Sequence, residues 1–235
     1  MATIDFDDED TVLEEVARAL GEDPDDLRIE VDDGLTGFGA GTVYSITTRG
    51  GRKEWQVVAD DDAERELALA VVQQDLEEEP EIFNKDFLER HIDKDKLRDQ
   101  LHSDALDMRI NDLSDMGSRR PDDFWEEWEG EGLELPEHAE PPEDDEGDFE
   151  KPEPDSSEIE ELAGKQVDEQ LRDPMEYLEN IYGDEAAAKA IEIAGIDIDA
   201  AAEEAVDTDG AAHFLATYDG HSHRTRSGLV YWRSN

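Results

Sequence analysis

The sequence predicts an α+β fold: a small antiparallel sheet with helices, followed by a helix-rich second part ending in a C-terminal β-strand. Three features carry this expectation. Residues 1–79 switch between helical and strand periodicity in the order helix, three strands, helix. Residues 157–235 run through four successive helical patterns, and "GLVYWR" near their end alternates like a strand. Short strands joined by tight turns make antiparallel sheets, which bury a face under helices.

Each element has its own signal. Asp10 or Thr11 is a candidate cap for a first helix whose apolar positions Val12, Leu13, Val16 and Leu20 fall at helical spacing, with Gly21 as its stop. "LRIEV" alternates as a short strand, and "TVYSITT" and "KEWQVVA" make two more around the hairpin turn "RGGR". Asp60 to Asp62 offer caps to a helix with Leu67, Ala70, Val71 and Leu76 on its apolar side. The expected sheet packs its helices on one face. Residues 80–117 read as a helical extension, "EIFNKDFLERHI" and then "DKDKLRDQLHSDALDMRINDL", with leucines and isoleucines at helix-face spacing.

Composition changes over 118–156, which reads as an acidic, Pro-rich linker or arm. Between Pro121 and Asp155 there are six Pro, seventeen acids and one Lys, a local charge of 1 − 17 = −16. Proline interrupts helices and like charge favours extension. Phe124, Trp125 and Trp128 break that pattern, since large aromatics are costly to leave in water. They are read either as an anchor onto the protein's own body or as a hook for a partner. Residues 157–235 form the last region, helical with a C-terminal hairpin or strand. Ser157 and Glu160 have capping-box spacing, Asp173 and Pro174 mark a helix start, and Gly195 marks a helix stop.

The charge sets the environment. Sixty-nine acids against twenty-one Lys and Arg give a formal net charge of −48, with only seven Lys. An acid-rich, Lys-poor surface is that of proteins adapted to molar salt, where a Debye length of about 3 Å screens carboxylate repulsion. Under those conditions a high charge maintains solubility without forcing expansion. The chain has no cysteine, so disulfide and thiolate chemistry are excluded. No signal segment or membrane span is read, which places the expected protein in the cytoplasm.

Most site-like motifs dissolve on inspection. "GLTGFGAGT" lacks the Lys-Ser/Thr of a phosphate loop and is followed by a strand, so it reads as a flexible β-loop. Carboxylate pairs carry no information among so many acids. The C-terminal stretch differs: His213, Asp219, His221 and His223 lie within eleven residues. Imidazole and carboxylate are metal ligands, yet no family spacing is present, and a hydrogen-bonded turn with exposed histidines competes with a metal site. No nucleophile elbow surrounds Ser222 or Ser227. Arg224, Arg226 and Arg233 against Asp219 make residues 210–235 locally positive, +3 − 1 = +2. Their favoured role is to pair with body carboxylates and clamp the last strand, along an edge of the N-terminal sheet. An anion-binding face is the other reading.

"DGAAHFLATYDG" and the closing "SGLVYWRSN" resemble the ending of small accessory proteins of tailed phages and haloarchaeal viruses. The helix–strands–helix unit followed by "IFNKDFLERHI" is similar to their front half, whereas "HSHRTR" departs from the acidic residues expected there. The resemblance covers about half the chain in pieces and implies a viral origin; it transfers no catalytic residue.

The function expected is therefore that of a non-enzymatic, halophilic viral accessory protein acting through protein–protein contact. In one version its acids mimic nucleic acid against a basic host protein. A structural or assembly protein of a tailed virion is an alternative, and a metal-dependent enzyme using the C-terminal histidines is another. No catalytic residue and no cofactor is predicted beyond solvent K⁺ or Na⁺ at the acidic surface. Direct nucleic-acid binding is disfavoured because the field repels phosphate, and the partner-binding candidates are Phe124, Trp125, Trp128, Arg224, Arg226 and Arg233.

Overall fold

A computed structural model of the chain describes residues 5–39, 41–116, 130 and 156–235. Phe124, Trp125, Trp128 and nearly all of the acidic span fall outside the described residues. The chain divides into two units, residues 1–84 with 197–235, and residues 85–196.

The first unit is built on one five-stranded antiparallel sheet. Helix α1 (Glu9–Leu20) begins one or two residues before the expected caps and ends on Gly21, whose φ of +73° suits glycine. Strands β1 (Leu27–Val31), β2 (Tyr44–Thr48) and β3 (Glu54–Val58) form the expected meander. The loop between β1 and β2 starts with a helical turn, α2 (Asp33–Thr36), because Asp32 caps it by accepting a 3.0 Å hydrogen bond from the Leu35 amide. Helix α3 (Asp61–Glu78) starts on the Asp60 carboxylate, which accepts from the Ala63 amide at 3.0 Å. The chain returns to this unit with α9 (Ile198–Asp209), α10 (Ala211–Leu215), β4 (Ser222–Arg224) and β5 (Val230–Arg233).

Strand order is β1-β2-β3-β5-β4, so the C-terminal hairpin completes the N-terminal sheet. Gln56 pairs with Trp232 and Val57 with Tyr231. Alternation sends Tyr44, Ile46, Trp55, Val57 and Tyr231 to one face, where they pack with Val12, Val16 and Ala17 of α1. The opposite face carries Val58, Val230 and Trp232, also buried. Both faces are thus covered at the centre of the sheet, not one as the sequence suggested. Helix α3 lies along α9 through Arg65–Asp207 at 2.9 Å and Gln73–Asp199 at 2.8 Å. Buried Ala201, Ala202 and Ala205 keep the facing side of α9 small enough for close approach.

One polar chain crosses the buried side of the hairpin turn. The Leu229 amide donates to Thr225 Oγ1 at 3.1 Å, and Ser227 Oγ donates to Glu15 Oε1 at 3.0 Å. Since that uses the single Ser227 proton, the 2.7 Å contact between the two hydroxyls has Thr225 as donor. Arg18 holds the other Glu15 oxygen.

The second unit is helical. It comprises α4 (Lys85–Arg90), α5 (Lys94–Met116), α6 (Ser156–Gln170), α7 (Pro174–Tyr182) and α8 (Ala186–Ala194). Helix α6 already includes Ser157, so the expected capping box does not mark its first residue. Asp173 caps α7 as expected, accepting from the Glu176 amide at 2.9 Å, with Pro174 at the first position. Leu97, Leu101, Val167, Leu178 and Ala190 are buried within the unit. Gly195 ends α8 at φ +59°, and the Lys96 side chain lies against it.

Two substitutions test these assignments in the full chain. Ser227→Ala removes a hydrogen bond to a charged acceptor and is expected to cost about 1.5–3 kcal/mol by denaturant titration. Gly195→Ala forces a Cβ into left-handed backbone and against Lys96, and is expected to cost about 1–2 kcal/mol.

Candidate functional site

Two segments that break the acidic pattern meet at one end of the sheet. The β2–β3 turn contributes Arg49, Arg52 and Lys53, three cations in five residues. The second segment is the end of β5 and the start of the hairpin, with Arg233 and His221. Backbone pairing joins them: the Ser234 amide donates to the Glu54 carbonyl at 3.1 Å, and the Glu54 amide to Asn235 O at 3.5 Å. The β4–β5 register carries His221 to the same end, directly beyond the Ser222–Trp232 pair.

The neighbouring carboxylates are already engaged. Glu22 pairs with Lys53 at 3.5 Å, while Lys53 lies 5.9 Å from the Trp55 ring centre. Glu54 Oε1 accepts from Ser45 Oγ at 2.9 Å and from Gln56 Nε2 at 3.4 Å. Arg233 Nε donates to Asn235 O at 2.6 Å, and its guanidinium covers the Tyr218 ring at 3.7 Å. That stacked pair leaves Tyr218 57% exposed. Arg49 and Arg52 are exposed and have no ion-pair or side-chain hydrogen-bond partner among the described residues. The result is a strand end displaying guanidiniums that no ion pair among the described residues engages, a geometry that can bind carboxylate or phosphate oxygens.

The other described residues singled out from the sequence are dispersed rather than gathered at this end. Arg224 binds Asp61 at the start of α3, Nε to Oδ1 at 2.6 Å, the clamp that the sequence favoured. Arg226 is exposed in the hairpin turn at the far end and has no partner among the described residues. His223 stacks on Tyr231 with ring centres 5.4 Å apart. Burial holds the Tyr231 phenol above its ordinary range, so the stacked ring stays neutral. His213 packs edge-on to its neighbour Phe214 at 4.9 Å, and Asp219 accepts the His221 amide at 3.1 Å within its own turn. Hydrogen bonds and ring contacts thus account for His213, Asp219 and His223. Among the described residues no group of three or more His, Asp or Glu side chains is placed to hold one metal ion.

The sequence reading missed the β2–β3 turn. Its signal lies in the three cations of "TRGGRKEW", which the paired glycines of a hairpin turn overshadow in the sequence. The second unit has an open depression of about 600 Å³ lined by Asp86, Glu89, Asp93 and Asp95 with Arg90 and Lys94. Its like charges and shallow walls define no chemistry. No helix among the described residues is long and apolar enough to cross a membrane. Comparison with protein-family models, curated proteins and solved structures finds no match.

The hairpin offers a test of what holds this end together. An exposed ion pair is worth about 0–1 kcal/mol, so Arg224→Ala should be nearly silent in denaturant unfolding. Trp232, 1% exposed, should cost about 3–5 kcal/mol when replaced by Ala. The reverse order would make the clamp electrostatic.

Proposed function

We propose that this chain is a halophilic accessory protein that works by protein contact, docking the basic end of its sheet onto a carboxylate-rich surface of a partner. The observation that carries this reading is the pair Arg49 and Arg52, exposed and uncompensated in a chain of net charge −48. Arg28 and Arg226 are also without an ion-pair partner among the described residues, but only in the β2–β3 turn do two such guanidiniums stand together, beside Lys53. In brine, neighbouring proteins also present carboxylates. A basic strand end is then the complement that such a neighbour offers, and bidentate Arg contacts survive screening better than long-range attraction does. The likeness of the C-terminal segment to tailed-virus accessory proteins supports a viral setting for this role.

The test is capture from a halophile lysate at molar KCl, using full-length chain and its Arg49→Glu/Arg52→Glu variant. Both positions are exposed, so the variant should fold, as circular dichroism will check. The expected result is an acidic partner retained by the parent chain and lost with the variant, with no retention of duplex DNA by either. A basic partner retained equally by both would place the working surface on the carboxylates instead. Brine adaptation has a separate readout: the denaturation midpoint should rise from dilute buffer to molar KCl as repulsion is screened. Equal stability in both would refute that part.

A further inference from the structure

The opposite edge of the sheet, β1, is open. The Asp32 amide donates to Val43 O at 2.8 Å and the Arg49 amide to Asp26 O at 2.9 Å, so even-numbered residues here bond to β2. The backbone groups of Leu27, Ile29 and Val31 therefore point away from the sheet. The Leu27 amide is satisfied by Pro24 O. Among the described residues nothing pairs with Ile29 or Val31 on the outer side. Val31 is one of four large apolar side chains left exposed among the described residues, at 41%.

The side chains on this edge have a symmetry of their own. "LRIEV" reads apolar, plus, apolar, minus, apolar, centred on Ile29. Arg28 and Glu30 share the face away from α1, both are exposed, and neither has a side-chain partner among the described residues. We infer that β1 pairs antiparallel with β1 of a second copy of this chain, about a two-fold axis at Ile29, to make one continuous sheet.

Three independent features fit this one register. Ile29 opposes Ile29 of the second copy and Leu27 opposes Val31, which are the residues whose backbone groups face outward, so the hydrogen-bond phase is correct. Ile29 amides and carbonyls exchange bonds, and each Val31 amide reaches the opposing Leu27 carbonyl, the acceptor whose own N–H is already satisfied. Arg28 then stands across from Glu30 twice, as opposite charges must for a cross-strand pair to stabilise. The exposed Val31 is covered by the opposing Leu27 on the apolar face. Outside the strand, Asp26 meets Asp32 and Asp25 meets Asp33. These like charges oppose association unless salt screens them, so the contact forms at high ionic strength.

Sedimentation velocity of the full chain at molar KCl, over a range of protein concentrations, tests the inference. A reversible monomer–dimer equilibrium is expected, and it should recede in dilute buffer. Glu30→Arg places like charges opposite each other twice and should weaken dimerisation about tenfold. The Arg28→Glu/Glu30→Arg swap restores opposition and should return the dimer to near its original strength. Both positions are exposed, so the monomer fold is a constant that circular dichroism verifies. Ile29 and Val31 amides should gain hydrogen-exchange protection with concentration. A chain that remains monomeric at molar KCl would overturn the inference. So would a dimer indifferent to Glu30→Arg, or one that the swap fails to restore.

Discussion

The pairing of β5 with β3 is the constraint on which the rest of the first unit depends. It places Trp232 and Val230 on one face and Tyr231 on the other, so that both sides of the sheet centre have something to bury against. Without it β3 would be an edge, and Trp55, Val57 and Val58 would lose their neighbours on one side. The relay from the Leu229 amide through Thr225 and Ser227 to Glu15 fixes where the hairpin turns. It also explains a buried carboxylate in a helix otherwise patterned for apolar packing. Glu15 accepts from a hydroxyl on one oxygen and from Arg18 on the other, so its charge is met on both.

Local signals were readable in the sequence to the extent that they were local. Gly21 and Gly195 could be identified as helix ends because the left-handed conformation that stops a helix selects glycine. Asp173–Pro174 was legible for the same kind of reason, a cap and a residue that needs no donor. Alternation gave β1, β2 and β3 within a residue or two, and it gave β5. The turn at Asp33 was hidden by glycines that argue equally for a loop, while one Asp32 carboxylate decided the matter. Periodicity says which face a residue takes, not which strand it will join. The local basic charge of the C-terminus pointed to an edge of the N-terminal sheet, but not to β3 or to the register that sets Glu54 beside Ser234.

The candidate site is a product of that long-range pairing. Arg49 and Arg52 are unremarkable as part of a turn, and Arg233 and His221 are unremarkable as the flanks of a hairpin. They become one surface because β3 and β5 are neighbours, and because Ser45, Gln56 and Lys53 have already claimed Glu54 and Glu22. A search for ligand spacing in sequence order leads instead to His213, Asp219 and His223. The fold uses those residues for stacking and for closing a turn.

Edge strands are where an acidic protein and its solvent come into conflict. In dilute solution a net charge of −48 would itself keep open edges apart, and no further device would be needed. At the molar ionic strength proposed for this protein, this protection falls away beyond a few ångströms. What then separates a wanted contact from an unwanted one is short-range pattern: hydrogen-bond phase, an opposed charge, an apolar side chain with or without cover. The two edges of this sheet differ in that respect. At β4, the adjacent turn ties Thr225 and Ser227 to Glu15, and Arg224 is held by Asp61. At β1, Arg28 and Glu30 are left unmatched on either side of Ile29. Under the proposed molar salt, sequence register rather than net charge would determine which edge can be joined.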